Sequence, residues 1–220
     1  MKNIAIVPLK NLSETKRRLA GHLDLNERKA LVLAMLDDVL NSLRHSELFS
    51  EIHVISPNTS VEKRVLRSRA LFMKQKGAGL NSAIRQALRE LLRKKPKSIT
   101  TVLADLPLAG PADFRELAEI SQESPRIVLA PSLKGGTNVM LRSPPNLIRT
   151  FYGRWSYAKH LRAGQKKNVP VYSVSNSRLS FDVDTIHDLR ALLRLDRSGR
   201  THAGSAAREF PIFSRLRNRS

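Results

Sequence analysis

The sequence predicts an α/β domain built around a mostly parallel sheet. Apolar stretches of strand length alternate with longer segments of helical periodicity along most of the 220 residues. Strand candidates lie at 4–8, 51–56, 71–74, 99–104 and 126–130, and helical patterns follow the first, third and fourth of them. Ligands bind outside the carboxyl ends of the strands in such sheets, so the loops that follow strands are the candidate site.

The amino-terminal part of the chain contains the first three strand candidates and the first predicted helix of this pattern. The strand IAIVP leads into a charged loop, KNLSETKRRLAG, and then into a helix. Asp24 and Glu27 have the spacing of a capping box. Behind them, apolar residues recur at helical intervals, at Leu31, Met35, Val39 and Leu43. EIHVIS at 51–56 is the second strand, and LFMK at 71–74 is a weaker third.

The later elements repeat the alternation. GLNSAIRQALRELLRKK at 79–95 is amphipathic, with its apolar face formed by Ile84, Leu88, Leu91 and Leu92. The strand ITTVLA ends at Asp105, and PADFRELAEI then begins a helix with proline in its first turn. RIVLA at 126–130 is a further strand. No internal repeat is present, and we find no domain boundary before residue 195.

Composition narrows the class of protein. The apolar content of 41% is ordinary for a globular chain of this length, which can bury a sizeable core. No apolar stretch approaches the ~18 residues that a membrane span needs, and the apolar segment near the start is too short for a secretory signal. The absence of cysteine excludes disulfides, thiolate metal sites and cysteine nucleophiles. We therefore expect a cytoplasmic protein without a membrane partner.

The charge is the unusual feature. Thirty-nine Lys and Arg against nineteen Asp and Glu leave a net charge of +20, which fits an anionic partner such as nucleic acid, a membrane surface or a phosphorylated small molecule. Part of the excess lies in residues 196–220, where six Arg face one Asp and one Glu. This segment lacks sustained periodicity, so we predict a domain at 1–195 and a basic, flexible tail at 196–220, with a short docking patch at Phe210–Phe213.

Three carboxylates are candidates for chemistry. Asp105 ends a strand, and Asp182 and Asp184 alternate with Phe181 and Val183, so that in a strand both carboxylates point to the same side. Two carboxylates placed together repel each other unless a cation lies between them. The simpler interpretation is a turn residue at 105 and a helix cap at 184. The alternative is a site for one or two Mg²⁺ ions, which prefer such oxygen ligands.

Basic and glycine-rich loops offer complementary groups. Lys10, Lys16, Arg17 and Arg18 lie within nine residues after the first strand and fit a polyphosphate, although a solvated basic loop explains them equally well. KGAGLN at 76–81 precedes a helix N-terminus, where free N–H groups attract phosphate, but a simple turn has the same composition. KGGTN at 134–138 and FYGRWSYAKH at 151–160 add polar side chains. Magnesium with a basic loop indicates nucleotidyl or phosphoryl transfer without naming a substrate.

Several segments, taken in order, resemble one family. They are IVPLKNLSETKRRLAGHLDLNERKAL, SPNTSVE, GAGLNSAI, LADLPLAGPADF, APSLKGGTNVMLRSPP, FYGRWSYAKHLRAG and SFDVDTIHDL. The chain resembles the 2-phospho-L-lactate or phosphoenolpyruvate guanylyltransferases of the pathway to the deazaflavin coenzyme F-420. The resemblance covers roughly residues 1–195, and the ADLP, GGTN, GxxSxxxH and DxD elements occur in the expected order.

The resemblance implies a Rossmann-like nucleotidyltransferase fold and transfer of GMP from GTP to the phosphate of a small acid, with release of pyrophosphate. It implies that magnesium is held by Asp105, Asp182 and Asp184. It places the phosphorylated acid at Thr137, Asn138, Gly153, Ser156 and His160. It places the nucleotide at Lys10, Lys16, Gly79 and Asn81. A homodimer is a weaker expectation from the same source.

Other functions are weighed against this one. A nucleotidyltransferase of the same fold acting on a molybdopterin or a sugar phosphate fits less well, because GGTN and GRWSYAKH match the acid-binding side. A catalytically silent relative is disfavoured by the intact carboxylates. A basic RNA-binding protein fits the charge, but aromatic content is only 5% and no recognition motif is present, so we expect no nucleic-acid partner. The choice among 2-phospholactate, phosphoenolpyruvate and 3-phosphoglycerate stays open, since one-carbon differences are worth only ~1–3 kcal/mol.

Overall fold

The computed structural model describes residues 2–120 and 122–213, and in this part of the chain seven strands form one sheet. The strands are β1 (Asn3–Pro8), β2 (Glu51–Ser56), β3 (Leu71–Lys74), β4 (Ser98–Val102), β5 (Arg126–Pro131), β6 (Thr137–Ser143) and β7 (Val171–Ser173). Their order is β3-β2-β1-β4-β6-β5-β7. β6 runs antiparallel to β4 and β5, and the other pairs are parallel, which confirms the mostly parallel α/β fold.

Eight α-helices surround this sheet in the described residues. They are α1 (Leu25–His45), α2 (Glu62–Arg67), α3 (Leu80–Leu91), α4 (Pro111–Glu119), α5 (Ser156–Gln165), α6 (Ser177–Ser180), α7 (Ile186–Leu195) and α8 (His202–Arg208). The capping box expected before α1 is present. The Asp24 carboxylate accepts the N–H of Glu27 at 2.8 Å, and Glu27 accepts the N–H of Asp24 at 2.7 Å. Two orphan donors of the first turn are thereby satisfied.

Both faces of the sheet are covered, so alternate residues of one strand enter different cores. Ala5 and Val7 of β1 pack in the core on the side of α1, α4, α7 and α8. Ile4 and Ile6 pack on the other side, against α3. On the same side as α3, residues of α5 pack against apolar residues of β5 and β6. Burial on both faces explains why these strands read as continuous apolar runs.

The sequence pattern does not predict β7, and it also does not predict β6, whose first residues are expected only as a turn. All seven of its residues are buried, including the polar Thr137, Asn138, Arg142 and Ser143. Polar residues inside a buried strand obscure its apolar pattern, so periodicity could not show it. Because β6 is antiparallel to β4, its first residues lie at the edge of the sheet where β4 ends. This brings Thr137 to the same edge as Asp105.

The carboxyl-terminal segment differs from the predicted flexible tail. α8 packs against α1, and Asp38 of α1 accepts the N–H groups of His202 at 2.7 Å and Ala203 at 2.9 Å. Ala203, Ala207, Phe210 and Phe213 are buried, so the expected docking patch at Phe210–Phe213 packs within the domain. Their spacing is helical and was the overlooked signal. The domain therefore extends past residue 195, and residues 214–220 lie outside the described part.

No helix in residues 2–120 and 122–213 combines the length and apolar content that crossing a bilayer requires.

Candidate active site

The three candidate aspartates meet at one edge of the sheet. Asp105 follows the end of β4, and the segment 181–184 crosses that end, where the N–H of Val183 donates to the carbonyl of Asp105 at 3.2 Å. All three aspartates line one cavity of about 550 Å³. The strand predicted through Asp182 and Asp184 is wrong, because these residues form an extended connection between α6 and α7. The connection still delivers both carboxylates to the cavity.

Lys16 joins two of these carboxylates. Its Nζ lies 2.8 Å from Asp105 Oδ2 and 2.8 Å from Asp184 Oδ1, and its side chain is only 8% exposed. Burial by itself would lower the pKa of Lys16, but the charges of Asp105 and Asp184 outweigh that effect and raise the pKa above its ordinary value. Lys16 is therefore a fixed positive charge. It was expected to bind the nucleotide, and here it neutralises the carboxylate cluster.

Lys134 is a site residue that the sequence reasoning missed. It lies in the loop between β5 and β6, and its Nζ is 2.8 Å from Asp188, 3.3 Å from Asp182 and 3.9 Å from Asp184. Asp188 also accepts the N–H groups of Asp184 and Thr185, at 2.9 and 2.8 Å, and completes the capping box of α7. The cap at this helix is thus formed by Thr185 and Asp188, which leaves Asp184 free for the cavity.

The carboxylates have unequal proton affinities. Burial raises the pKa of Asp182 to about 6, and the negative charge of Asp105 adds to the effect. Burial acts in the same direction on Asp184, but the charge of Lys16 and its hydrogen bond overcome it and lower the pKa of Asp184 to about 2. One oxygen each of Asp105 and Asp182 is buried without a hydrogen-bond partner. Such atoms are costly unless a cation or donor reaches them.

A second set of residues also lines the cavity. Thr137, Gly153 and Ser156 line it together with Asn138. The hydroxyl of Ser156 donates to Thr137 Oγ1 at 3.4 Å, and the N–H of Ser156 donates to the carbonyl of Gly153 at 3.2 Å. The side-chain amide of Asn138 also has a structural contact, since it donates to the carbonyl of Leu179 at 2.9 Å.

His160 contacts Thr137 of this second set and is fully buried. The N–H of Phe151 donates to its Nε2 at 2.8 Å, so Nε2 is unprotonated and Nδ1 carries the hydrogen. Nδ1 lies 2.9 Å from Thr137 Oγ1 and donates to it. Since Thr137 Oγ1 accepts from both His160 and Ser156, its own hydrogen is available for a ligand in the cavity. The resemblance placed His160 on the ligand, and the structure makes it a positioning residue that acts through Thr137.

The buried His160 makes stability depend on pH. Burial, with the positive charge of Arg142, lowers the pKa of His160 from 6.5 to about 4. Between pH 6.5 and 4 the imidazole is protonated in the unfolded chain but stays neutral in the folded protein. The stability that depends on the neutral imidazole is therefore complete above pH 6.5 and is lost as the pH falls to 4. Urea unfolding measures the free energy of unfolding at pH 7 and at pH 4. We expect its fall between these pH values to be about 3 kcal/mol smaller in His160→Asn than in the parent protein.

The variant has to be compared with the parent protein because Asp182 titrates in the same pH range and changes the stability in the opposite direction. Its raised pKa stabilises the folded state at low pH and partly cancels the effect of His160 in the parent protein. Equal pH dependence in parent and variant would contradict a neutral, buried imidazole.

The residues predicted to bind the nucleotide lie at the border between this cavity and a neighbouring one. Lys10 lines the 550 Å³ cavity and also a neighbouring cavity of about 560 Å³ bounded by the loop 75–80. Gly79 has φ of +84°, a conformation that favours glycine, and it precedes the first residue of α3. Asn81 is committed elsewhere, because its side chain donates to the carbonyl of Tyr152 at 2.8 Å and accepts its N–H at 2.9 Å. It holds two walls of the site together.

Comparison with known proteins shows what this chain is similar to. The family model described as "Guanylyl transferase CofC like" matches residues 3–204. The phosphoenolpyruvate guanylyltransferase of Sphaerobacter thermophilus is 35% identical over 193 residues, 87% of this chain and 93% of that protein. The 2-phospho-L-lactate guanylyltransferase of Methanocaldococcus jannaschii is 30% identical over 192 residues, 86% of this chain and 81% of that protein. A nucleotidyl transferase structure from Methanothermobacter thermautotroptrophicus shares the fold, with a TM-score of 0.64, 13% identity, and 90% and 99% of the two chains covered.

Proposed function

This chain belongs to the family of CofC-like guanylyl transferases, and on that premise we propose that it joins the GMP part of GTP to the phosphate of a small phosphorylated acid in coenzyme F-420 biosynthesis. One observation carries the proposal. A single cavity is lined by the three aspartates with Lys10 and Lys134, and also by Thr137, Gly153 and Ser156. Lys16 pairs with two of the aspartates. The charged group suits a triphosphate with its cation, and the group around Thr137 suits the carboxylate or phosphate of the acid.

The reaction needs no general base from the protein. The phosphate oxygen of the acceptor is ionised at neutral pH and attacks the α-phosphorus of GTP. The new oxygen–phosphorus bond forms as the bond to the β-phosphate oxygen breaks, and pyrophosphate leaves with that electron pair. The chain contributes by holding the two anions in line and by placing Lys10, Lys16 and Arg18 around their charge. The hydroxyl of Thr137 orients the acceptor, because His160 and Ser156 leave its hydrogen free to donate.

The residues present fit a divalent cation. The buried oxygens of Asp105 and Asp182 lack partners, and the pKa of Asp182 is raised by burial and by the negative charge of Asp105, both of which a bound cation would offset. As the side chains stand, no group of three or more His, Asp or Glu in the described residues is arranged to hold a metal. Lys16 Nζ contacts two of the same carboxylates, so lysine and metal compete for them. We propose that Asp105, Asp182 and Asp184 hold Mg²⁺, which would neutralise the pyrophosphate leaving group.

The acceptor is decided by a direct assay. We expect pyrophosphate release from GTP and Mg²⁺ only when an acid is added, and we propose phosphoenolpyruvate as the preferred one, since the relative named for it is the more similar of the two. The measurement compares kcat/KM for phosphoenolpyruvate, 2-phospho-L-lactate and 3-phosphoglycerate. The highest value with another acid would overturn the preference, and release with none of them would overturn the proposed function.

Two further expectations stay predictions. They are a cytoplasmic location and a homodimer.

A further inference from the structure

Acidic residues are absent from a long part of the chain. Between Glu123 and Asp182, 58 consecutive residues contain no carboxylate side chain and ten Lys or Arg. The reaction requires positive charge only at its cavity, which Lys134 and Arg154 of this stretch line. The remaining excess is unexplained by guanylyl transfer.

The fold gathers this charge with that of α3 on one side of the sheet. α3 and its continuation to Lys97 cover one half of that side, and residues 144–168, which include α5, cover the other. We name this surface the α3–α5 face. It exposes one carboxylate, Glu90, against twelve cations. The cations are Arg85, Arg89, Arg93, Lys94, Lys95, Lys97, Arg149, Arg154, Lys159, Arg162, Lys166 and Lys167, of which Arg154 also lines the active-site cavity.

All but one of these cations form no ion pair with a carboxylate in the described part of the chain. Among the twelve, only Lys94 has a carboxylate partner, Glu51, at 2.6 Å. Glu90 contacts the amide of Gln86 at 3.1 Å. The opposite layer is mixed by contrast, since α1, α4, α7 and α8 together carry seven basic and seven acidic residues. The α3–α5 face therefore carries a net charge of +11 out of the +20 of the chain.

Part of the charge is arranged in a row. Arg85 and Arg89 are four residues apart in α3, about 6 Å along its axis, and Arg93 follows at the same interval in the 3-10 turn Leu92–Lys94 that continues α3. Like charges at this spacing destabilise a helix by a few tenths of a kcal/mol per pair. An anionic polymer with regularly spaced charges would offset that repulsion.

We propose that the α3–α5 face binds the phosphodiester backbone of a single-stranded nucleic acid without reading its sequence. Six of the twelve cations are arginines, whose planar guanidinium groups bind phosphate through two hydrogen bonds. A flexible strand can follow a row of charges on a flat helical layer, and counterion release drives such binding. The sequence alone led us to expect no nucleic-acid partner; the distribution of charge in the fold is what supports one.

A membrane surface fits the face less well. Peripheral binding to a bilayer is strengthened by large apolar side chains that enter it. The exposed large apolar residues of this face are Leu92, Phe151 and Trp155, and Trp155 lines the active-site cavity. The face thus offers charge with little apolar area to insert.

The test measures how salt weakens binding of the full chain to fluorescent 20-nucleotide oligouridylate and oligothymidylate, by anisotropy. We expect the variant Arg85→Gln/Arg89→Gln/Arg93→Gln to lower the slope of log K against log salt by about 2, which corresponds to an affinity loss on the order of 100-fold at 0.1 M salt. The matched control Arg190→Gln/Arg194→Gln/Arg197→Gln removes three exposed arginines from α7 and the turn after it, on the other side of the sheet. It should keep most of the slope and affinity.

Each outcome bears on the proposal. Loss confined to the α3 variant supports it, and the comparison of the two oligonucleotides tells whether RNA or DNA is the better ligand. Equal loss in both variants would mean that net charge alone attracts the polymer, and no binding by the parent would overturn the proposal. Binding to phosphatidylserine vesicles without binding to either oligonucleotide would replace it with a membrane contact. Unchanged guanylyl transfer in both variants shows that they are folded.

Discussion

Asp105→Asn is expected to reduce guanylyl transfer by two to three orders of magnitude or more while the protein stays folded. The change removes one negative charge from the site at which we propose magnesium is bound, and groups that stabilise developing charge are worth about 10²–10³ in rate. Lys16 keeps its ion pair with Asp184 at 2.8 Å, so the fold loses only one of two partners. The measurements are pyrophosphate release and a thermal melt.

Asp113→Asn is the matched control for this variant. Asp113 is a buried carboxylate at the start of α4, where it pairs with Arg178 and accepts the N–H of Gly110 at 2.7 Å. Losing that charge should lower the melting temperature and leave the turnover of the folded enzyme intact. If instead Asp105→Asn unfolds the protein, or keeps its activity, Asp105 is a structural turn residue and the proposed site is wrong.

Lys16→Met is expected to lower stability by about 3 kcal/mol without magnesium. Removing one member of a buried ion pair typically costs 3–5 kcal/mol, and Asp105 and Asp184 are partly exposed, at 25% and 34%, which places the cost at the lower end. The expected fall in melting temperature is about 6–12 °C for a domain of this size. Lys94→Met is the control, since its pair with Glu51 is on the surface and is worth at most about 1 kcal/mol.

Magnesium should restore part of the stability that Lys16→Met loses. In the parent protein, Lys16 Nζ already contacts the carboxylates that we propose as metal ligands, and in the variant these oxygens are free for a cation. A ligand that binds only the folded state stabilises it, so Mg²⁺ should raise the melting temperature of the variant more than that of the parent. An equal rise in both, or none in the variant, would contradict a metal site at these carboxylates. This readout does not depend on turnover.

The sequence predicted the α/β class and most strands because buried parallel strands and amphipathic helices leave periodic patterns. It also identified Asp105, Asp182 and Asp184, since carboxylates at the end of an apolar run contradict the pattern of the run. The sequence pattern does not predict β6, because its buried residues include the polar Thr137, Asn138 and Arg142, which interrupt the apolar pattern of a strand. Residues 196–220 predict a flexible tail because they are rich in Gly, Ser and Arg, and the helical spacing of Ala203, Ala207 and Phe210 is too short to form a sustained pattern.

Sequence by itself determined the kinds of chemical groups at the site, since these are properties of single residues and short motifs. Only the tertiary structure decided which of them meet. Lys16 and Asp184 are 168 residues apart and form an ion pair at 2.8 Å, and Lys134 reaches Asp188 across 54 residues. The structure also placed His160 behind Thr137 and collected the unpaired cations on one face of the sheet. Such contacts depend on strand order and burial, which no local pattern encodes.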